Sequence, residues 1–249
     1  MIDIKTKYAF EKKYPIDYHQ TDLKNVLKPS ALLNILQDIA TINAEMLGFG
    51  YSFTYPKNYG WFLIKYRMEF ENYPQNLTEC IVRTEARGLS KLMASRDFEL
   101  SSTDGKKLGR ISSQWLLIDL ESKRILPIKK VLDFVDDFQK REDDLQFPKL
   151  KPIEKVDFEK TFEIRYDDID INQHVNNANY VIWATEPLPF EFLTNNKIKT
   201  LDIIYKKEIA YGNNVISSVE FDENNKISHH VLKNATNNDE LCFLSIEWE

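Results

Sequence analysis

Between residues 31 and 47, apolar side chains fall at 32, 33, 36, 39, 40, 46 and 47, the spacing of an α-helix with one buried stripe. Tyr180, Val181, Trp183 and Ala184 predict a second helix later in the chain. The first should start at Pro29, whose fixed φ suits an opening helical position, and the second at Asn177. Each is followed by four strand-like runs with little helical period. They are Trp61 to Phe70, Leu77 to Glu85, Leu92 to Leu100 and Gly109 to Asp119 after the first helix. After the second come Thr200 to Ile209, Val215 to Phe221, Ile227 to Leu232 and Glu240 to Trp248. Asp104-Gly105, Tyr211-Gly212-Asn213-Asn214 and Asp222-Glu223-Asn224-Asn225 supply turn chemistry between strands.

A long apolar helix followed by antiparallel strands, occurring twice, buries its surface best when each sheet wraps its own helix. The expected fold is α+β: two tandem hotdog domains, each a long helix wrapped by an antiparallel β-sheet. The first is expected over residues 1–133 and the second over 154–249, with a linker at 134–153 inside the charged, proline-bearing stretch from Lys129 to Asp157. An internal repeat supports the duplication. A shift of 148 positions, which carries residue 22 to residue 170, lays Tyr14-Pro15-Ile16-Asp17-Tyr18-His19-Gln20-Thr21-Asp22 on Phe162-Glu163-Ile164-Arg165-Tyr166-Asp167-Asp168-Ile169-Asp170 without a gap. Ile, Tyr and Asp recur in register.

Just ahead of the second helix, Asp170, Asn172 and His174 stand on alternating positions, followed by Asn176 and Asn177. Alternation in an extended segment would send the first three to one side, converging a carboxylate, an amide and an imidazole on one volume. Helix capping alone would account for Asn176 and Asn177 but not for the others. Opposite Asn172, His174, Asn176 and Asn177 the first copy carries Lys24, Val26, Lys28 and Pro29. A second alignment, Tyr73-Pro74-Gln75-Asn76 on Tyr211-Gly212-Asn213-Asn214, sets Phe70 opposite Glu208. The first comparison leaves the amides and the imidazole to the second copy alone, and the second comparison does the same for the carboxylate of Glu208.

A net charge of −6 argues against a general nucleic-acid binder, which needs a basic surface to neutralise phosphates. No apolar run reaches membrane-spanning length, and Asp3, Lys5 and Lys7 interrupt the N-terminus, so a soluble, cytoplasmic protein without stable membrane insertion is expected. Cys80 and Cys242 read as buried free thiols. His229 and His230 are strand neighbours pointing to opposite faces, a poor chelate, and no metal site is expected. Phosphate loops, dinucleotide fingerprints and Gly-x-Ser-x-Gly elbows are absent from the sequence.

On the residues Asp170-Ile171-Asn172-Gln173-His174-Val175-Asn176-Asn177, the helix through Trp183 and Glu186, and Tyr205-Lys206-Lys207-Glu208, the chain resembles the acyl-acyl carrier protein thioesterases. Weaker likeness lies in Trp61 with the run to Pro74, Ser95-Arg96-Asp97-Phe98 and Ser112-Ser113-Gln114-Trp115, so the resemblance covers nearly the whole chain. It implies two hotdog domains in one chain, chemistry in the C-terminal one and an acyl pocket shaped by the N-terminal one. It implies hydrolysis of the thioester between a fatty acyl chain and its carrier, ending fatty-acid synthesis, with no cofactor. The partner would be acyl carrier protein with its phosphopantetheine-linked chain; a homodimer is left open. The family's catalytic Asp, Asn, His and Glu fall on Asp170, Asn172, His174 and Glu208. Plant relatives place a Cys after that Glu, whereas Ile209 stands here, which leaves carboxylate chemistry. The absence of a plant transit peptide suits a bacterial enzyme.

Thioester hydrolysis needs a base, an attacking oxygen and donors for the oxyanion. Glu208 is expected to be the base, with His174 and Asn172 orienting it or the water and Asp170 fixing the turn. Direct attack by Asp170 or Glu208 through an anhydride is the rival scheme. Backbone amides at the helix start, Val175, Asn176 and Asn177, are the expected oxyanion donors. Leu36, Ile39, Ala40 and Met46 on the first helix, with Trp61 and Leu63 facing them, are the expected acyl-pocket lining. Two further readings compete: a hotdog hydratase, disfavoured because Gln173 rather than Pro follows Asn172, and a noncatalytic acyl-binding module, disfavoured because the second copy keeps its polar set complete. Acyl-CoA as substrate would use the same chemistry.

Overall fold

The computed structural model describes residues 2–150 and 152–249; Met1 of the expected first domain and Lys151 of the expected linker lie outside the described residues. In chain order, β1 (Ala9–Pro15) leads through a 3-10 turn to α1 (Pro29–Met46) and the short α2 (Tyr51–Thr54). Strands β2 (Tyr59–Phe70), β3 (Glu79–Leu89), β4 (Met93–Ser102), β5 (Lys107–Asp119) and β6 (Arg124–Ile125) follow, then α3 (Ile128–Val131). The second half runs β7 (Phe158–Glu163), a 3-10 turn, α4 (Asn177–Thr185), α5 (Phe190–Asn195), β8 (Ile198–Tyr205), β9 (Asn214–Asp222), β10 (Ile227–Asn234) and β11 (Glu240–Trp248).

Helix α1 is long because its apolar stripe buries Leu32, Leu33, Leu36, Ile39 and Ala40 against the sheet. Gly48, at φ +81°, stops it. The Phe49 amide then reaches the Ala44 carbonyl and the Gly48 amide that of Glu45, closing the last turn as a Schellman motif. The second helix ends at Thr185, one residue short of the expected Glu186, which keeps helical φ and ψ as the C-cap; Pro187 beyond it has no amide with which to extend the ladder. Its first turn is closed by the Asn176 side chain, which accepts from the Ala178 amide at 2.8 Å.

Each half sets its helix in an antiparallel sheet, the hotdog arrangement in duplicate. The two sheets are not separate, however. Strands β2 and β8 pair antiparallel, Lys65 with Ile204 through Glu69 with Thr200, and fuse the halves into one eleven-stranded sheet in the order β1-β3-β4-β5-β2-β8-β11-β10-β9-β7, with β6 on β5. Helices α1 and α4 contact each other, and one continuous core runs from Leu36 to Trp248. The charged segment after α3 is held against the first half. Arg87 pairs with Asp144 at 2.7 Å, and Arg141 grips Glu85 with two bonds of 2.7 and 2.8 Å. Among the described residues no helix is long and apolar enough to cross a membrane.

The repeat is visible bond by bond. Asp22 N–H donates to the Val26 carbonyl and Asp170 N–H to that of His174; Asn25 N–H returns to Asp22 and Gln173 N–H to Asp170. Asn25 and Gln173 share φ near +64°, at 63° and 65°. In the strand region the correspondence differs from the expected one. Leu27 N–H donates to Pro74 O as Val175 N–H does to Ile209 O, so Tyr73, not Phe70, is the structural counterpart of Glu208. Phe70 lies inside β2, whereas β8 stops at Tyr205 and Glu208 belongs to the loop beyond it, outside the strand expected to run to Ile209.

Candidate active site

Residues 170–175 form a tight turn rather than the extended segment expected from their alternation. Gln173 takes the left-handed conformation, φ 65°, and the chain folds back so that Ile169 pairs with Val175. This turn still brings the side chains together. Asp170 accepts from the Asn172 amide at 2.8 Å and from the Asn172 side-chain nitrogen at 3.3 Å. The Val175–Ile209 backbone bond, 3.0 Å, then draws the Glu208 loop alongside. His174 Nδ1 stands 3.3 Å from Glu208 Oε2, close enough to pair but not aligned for a hydrogen bond. The turn is braced from below by Asp168, 1 % exposed, which accepts from the Arg165 backbone at 2.8 Å and from its Nη2 at 2.7 Å. Sequence repeat alone gave no role to this brace.

Glu208 is half-exposed, yet its carboxyl is held above the usual carboxylate range. Partial burial is the main cause and the negative charge of Asp170 adds to it; His174 and Lys123 pull the other way. Lys123 comes from the β5–β6 turn of the first half, so nothing in the local sequence marks it. Tyr180, buried beneath the cluster, has its hydroxyl pushed up by burial and keeps its proton.

The expected oxyanion donors separate. Val175 N–H is used on Ile209 and Asn176 N–H on the Asp168 carbonyl at 2.8 Å, because these bonds hold the two loops in place. Asn177, at the first helical position, has no intrahelical acceptor for its amide. The Asn176 side chain reaches α1 at Asn34, 3.4 Å away, as well as capping α4.

Asn172, His174 and Glu208 open onto a cavity of about 730 Å³ that runs beside α1 and under the start of β2. Its walls are mainly apolar, including Phe49, Trp61, Leu89 and Leu132. Ala40 and Trp61 line it as expected from sequence. Leu36, Ile39 and Leu63 do not; their side chains are packed into the core between helix and sheet. Met46, expected in the pocket, is 66 % exposed, since it closes the last turn of α1 on the helix's outer side. The stretch from Gly50 to Tyr55 and the β3–β4 residues of the wall were missed, because their contribution depends on how the sheet curls round the helix. Among the described residues no group of three His, Cys, Asp or Glu side chains converges as a metal cluster would.

The family model for the acyl-ACP thioesterase N-terminal domain matches residues 7–136, and that for the C-terminal domain matches residues 151–249. The oleoyl-acyl carrier protein thioesterase 2, chloroplastic, of Arabidopsis thaliana is 24% identical over 222 residues, covering 81% of this chain and 60% of that protein. The oleoyl-acyl carrier protein thioesterase, chloroplastic, of Coriandrum sativum is 24% identical over 267 residues, covering 95% of the chain and 71% of that protein. The chain thus spans about 60% of the length of the Arabidopsis relative. Among solved structures, an acyl-ACP thioesterase from Bacteroides thetaiotaomicron superposes with a TM-score of 0.85 at 23% identity over 97% of this chain and 98% of that one. The 12:0-ACP thioesterase from Umbellularia californica gives 0.83 at 18% identity, covering 97% of each chain. At these identities the structural likeness establishes the shared fold.

Proposed function

The chain belongs to the acyl-ACP thioesterase family, and on that premise we propose that it hydrolyses the thioester of a fatty acyl chain carried on acyl carrier protein, releasing the free acid and ending chain growth. The observation that carries this reading is the junction of the Asp170, Asn172, His174 and Glu208 cluster with a largely apolar cavity of about 730 Å³, a size that suits a small-molecule ligand. Polar reactive groups at the mouth and apolar walls beyond it match a substrate with a reactive head and a hydrocarbon tail.

In the proposed reaction Glu208 takes a proton from water as the water oxygen attacks the thioester carbonyl. The upward shift of its pKa, caused mainly by partial burial, makes its carboxylate a stronger base than a solvated one. His174, 3.3 Å from Glu208, orients the carboxylate and the water, and Asn172 lines the same cavity while its Nδ2 donates to Asp170. The tetrahedral oxyanion then collapses, the carbon–sulfur bond breaks, and the pantetheine thiolate leaves and takes up a proton. Asp170 holds the turn and raises the basicity of Glu208 through its charge. The domain division at residues 134–153 is part of the same proposal, with the first half receiving the tail.

Steady-state hydrolysis of chain-matched acyl-carrier and acyl-CoA substrates tests the reading. A higher kcat/KM on the carrier substrates is expected; equal rates would redirect it to acyl-CoA, and no hydrolysis of either would sink it.

Because Ala40 lines the cavity, Ala40→Phe should shift preference toward shorter chains, each excluded methylene losing roughly 0.8 kcal/mol of burial. Melting is measured alongside, since overpacking can cost ~1–3 kcal/mol. A stable, active Ala40→Phe with an unaltered chain-length profile would move the tail out of this cavity.

A further inference from the structure

The wall around the catalytic cluster is not built from the second half alone. Strands β5 and β6 pair through Ile118 with Ile125 and Asp119 with Arg124. The turn between them is held by Asp119, whose Oδ1 accepts from the Glu121 amide at 3.0 Å and from the Ser122 amide at 2.8 Å. The Leu120 amide donates to the Asn58 carbonyl at 2.9 Å, which ties the turn to the residue ahead of β2. Lys123 closes the turn in the left-handed conformation, φ 57°. So braced, the turn sets Lys123 in the wall of the same cavity as Asn172, His174 and Glu208.

The groups that face Glu208 from the second half are the carboxylate of Asp170, the imidazole of His174 and the buried Tyr180 hydroxyl, which keeps its proton. The lysines next to Glu208 in sequence are engaged elsewhere, Lys206 Nζ with Glu240 at 2.6 Å and Lys207 Nζ with Asp239 at 2.8 Å. Lys123 differs from them. Among the described residues no carboxylate lies within ion-pair distance of it, yet it is within electrostatic reach of Glu208. Beyond contact distance it acts on that carboxylate as a charge and not as a hydrogen-bond donor. Two carboxylates in one partly dehydrated cluster oppose each other's ionisation, and a nearby cation relieves this. A carboxylate must be ionised to accept a proton. We propose that Lys123 is a positioning residue of the active site: carried across from the first half, its ammonium keeps the Glu208 carboxylate an anion facing the cavity, so that both halves of the chain complete the cluster. The proposal deepens the thioesterase reading and rests on it for the role of Glu208. It gives the first half a part in the reaction besides receiving the tail.

The kinetic test is the acid limb of kcat/KM on an uncharged acyl-pantetheine thioester, so that carrier charge plays no part. Lys123 is exposed in a turn, and Lys123→Met should melt like the wild type. Without the ammonium Glu208 gives up its proton only at higher pH, so the limb should move to higher pH, opposite to the effect of removing the Asp170 charge. For an exposed cation beyond contact distance the displacement should be about 0.3–1 pH unit, a roughly 2- to 10-fold fall in kcat/KM on the limb. Lys123→Arg keeps the charge and should restore the wild-type limb. A limb that stays in place in Lys123→Met, or one displaced equally in Lys123→Arg, would overturn the proposal. A second arm needs no turnover. With isotope-labelled glutamate carboxyls, the Glu208 NMR signal, identified by its loss in Glu208→Gln, should titrate at higher pH in Lys123→Met than in the wild type. An unchanged titration rejects Lys123 as its counter-charge whatever the kinetics. A displaced titration in a protein whose kcat/KM shows no matching limb supports the charge pairing and removes Glu208 from the role of base, which tells the two failures apart.

Discussion

Glu208→Gln is expected to lower kcat by ~10²–10⁴ while leaving the melting temperature nearly unchanged, the usual weight of a positioned base. The substitution is close to isosteric and the side chain is half-exposed in a loop, so little packing depends on it. What it removes is the ability to take a proton. The wild-type rate should also show an acid limb, because only the deprotonated carboxylate can act. With its pKa held above the usual carboxylate value by burial and by Asp170, activity is lost as pH falls through that raised value. Asp170→Asn keeps an acceptor for the Asn172 amide but removes the like charge, so the limb should move to lower pH. Wild-type turnover in Glu208→Gln, or a limb that stays in place in Asp170→Asn, would take the base role away from Glu208.

How far the sequence reached depended on whether a feature was local. Strand β11 was legible to the residue, Glu240 to Trp248, because alternating apolar positions end at turn residues on its inner side. The 148-residue shift was legible for the same reason, and it survives in the hydrogen bonds of both turns. The fusion of the two sheets was not legible, since pairing of Lys65 with Ile204 joins residues far apart in the chain and leaves no periodic trace. Nor was the partner of Glu208 in the first copy: a short, degenerate alignment chose Phe70, and only the Leu27–Pro74 bond identifies Tyr73. Pocket lining failed most. Apolar periodicity marks Leu36 and Ile39 as well as Ala40, and the core absorbs the first two. The burial of Arg96 was not legible either: Ser95-Arg96-Asp97-Phe98 entered only as part of the family likeness, and a charged residue in a strand normally faces water.

The duplicated turn offers an internal control, and with it the sharpest separation of chemistry from scaffolding. Asp22 Oδ1 accepts from the Lys24 amide at 2.8 Å just as Asp170 Oδ1 accepts from the Asn172 amide at 2.8 Å. Removing either carboxylate therefore strips an equivalent bond, worth roughly 0.5–1.5 kcal/mol. Asp22→Ala should lose somewhat more, because Asp22 also stands 3.8 Å from the Lys24 ammonium. That ammonium caps the Leu193 and Asn196 carbonyls at the end of α5, at 2.6 Å each, and so ties the first copy's turn to the second half. The first copy has thus turned its loop into a structural clamp, with Val26 where the second has His174 and Tyr73 where it has Glu208. Asp170→Ala and His174→Ala are expected to lower kcat by ~10²–10⁴, the range for a group acting in the proton transfer. Asp22→Ala should lower the melting temperature and leave kcat per folded molecule intact. Measured side by side, kinetics and melting give opposite rankings of the two aspartates. Equal catalytic losses at 22 and 170, with melting unchanged in both, would mean that the first turn also takes part in the reaction and that the division of labour between the copies is wrong.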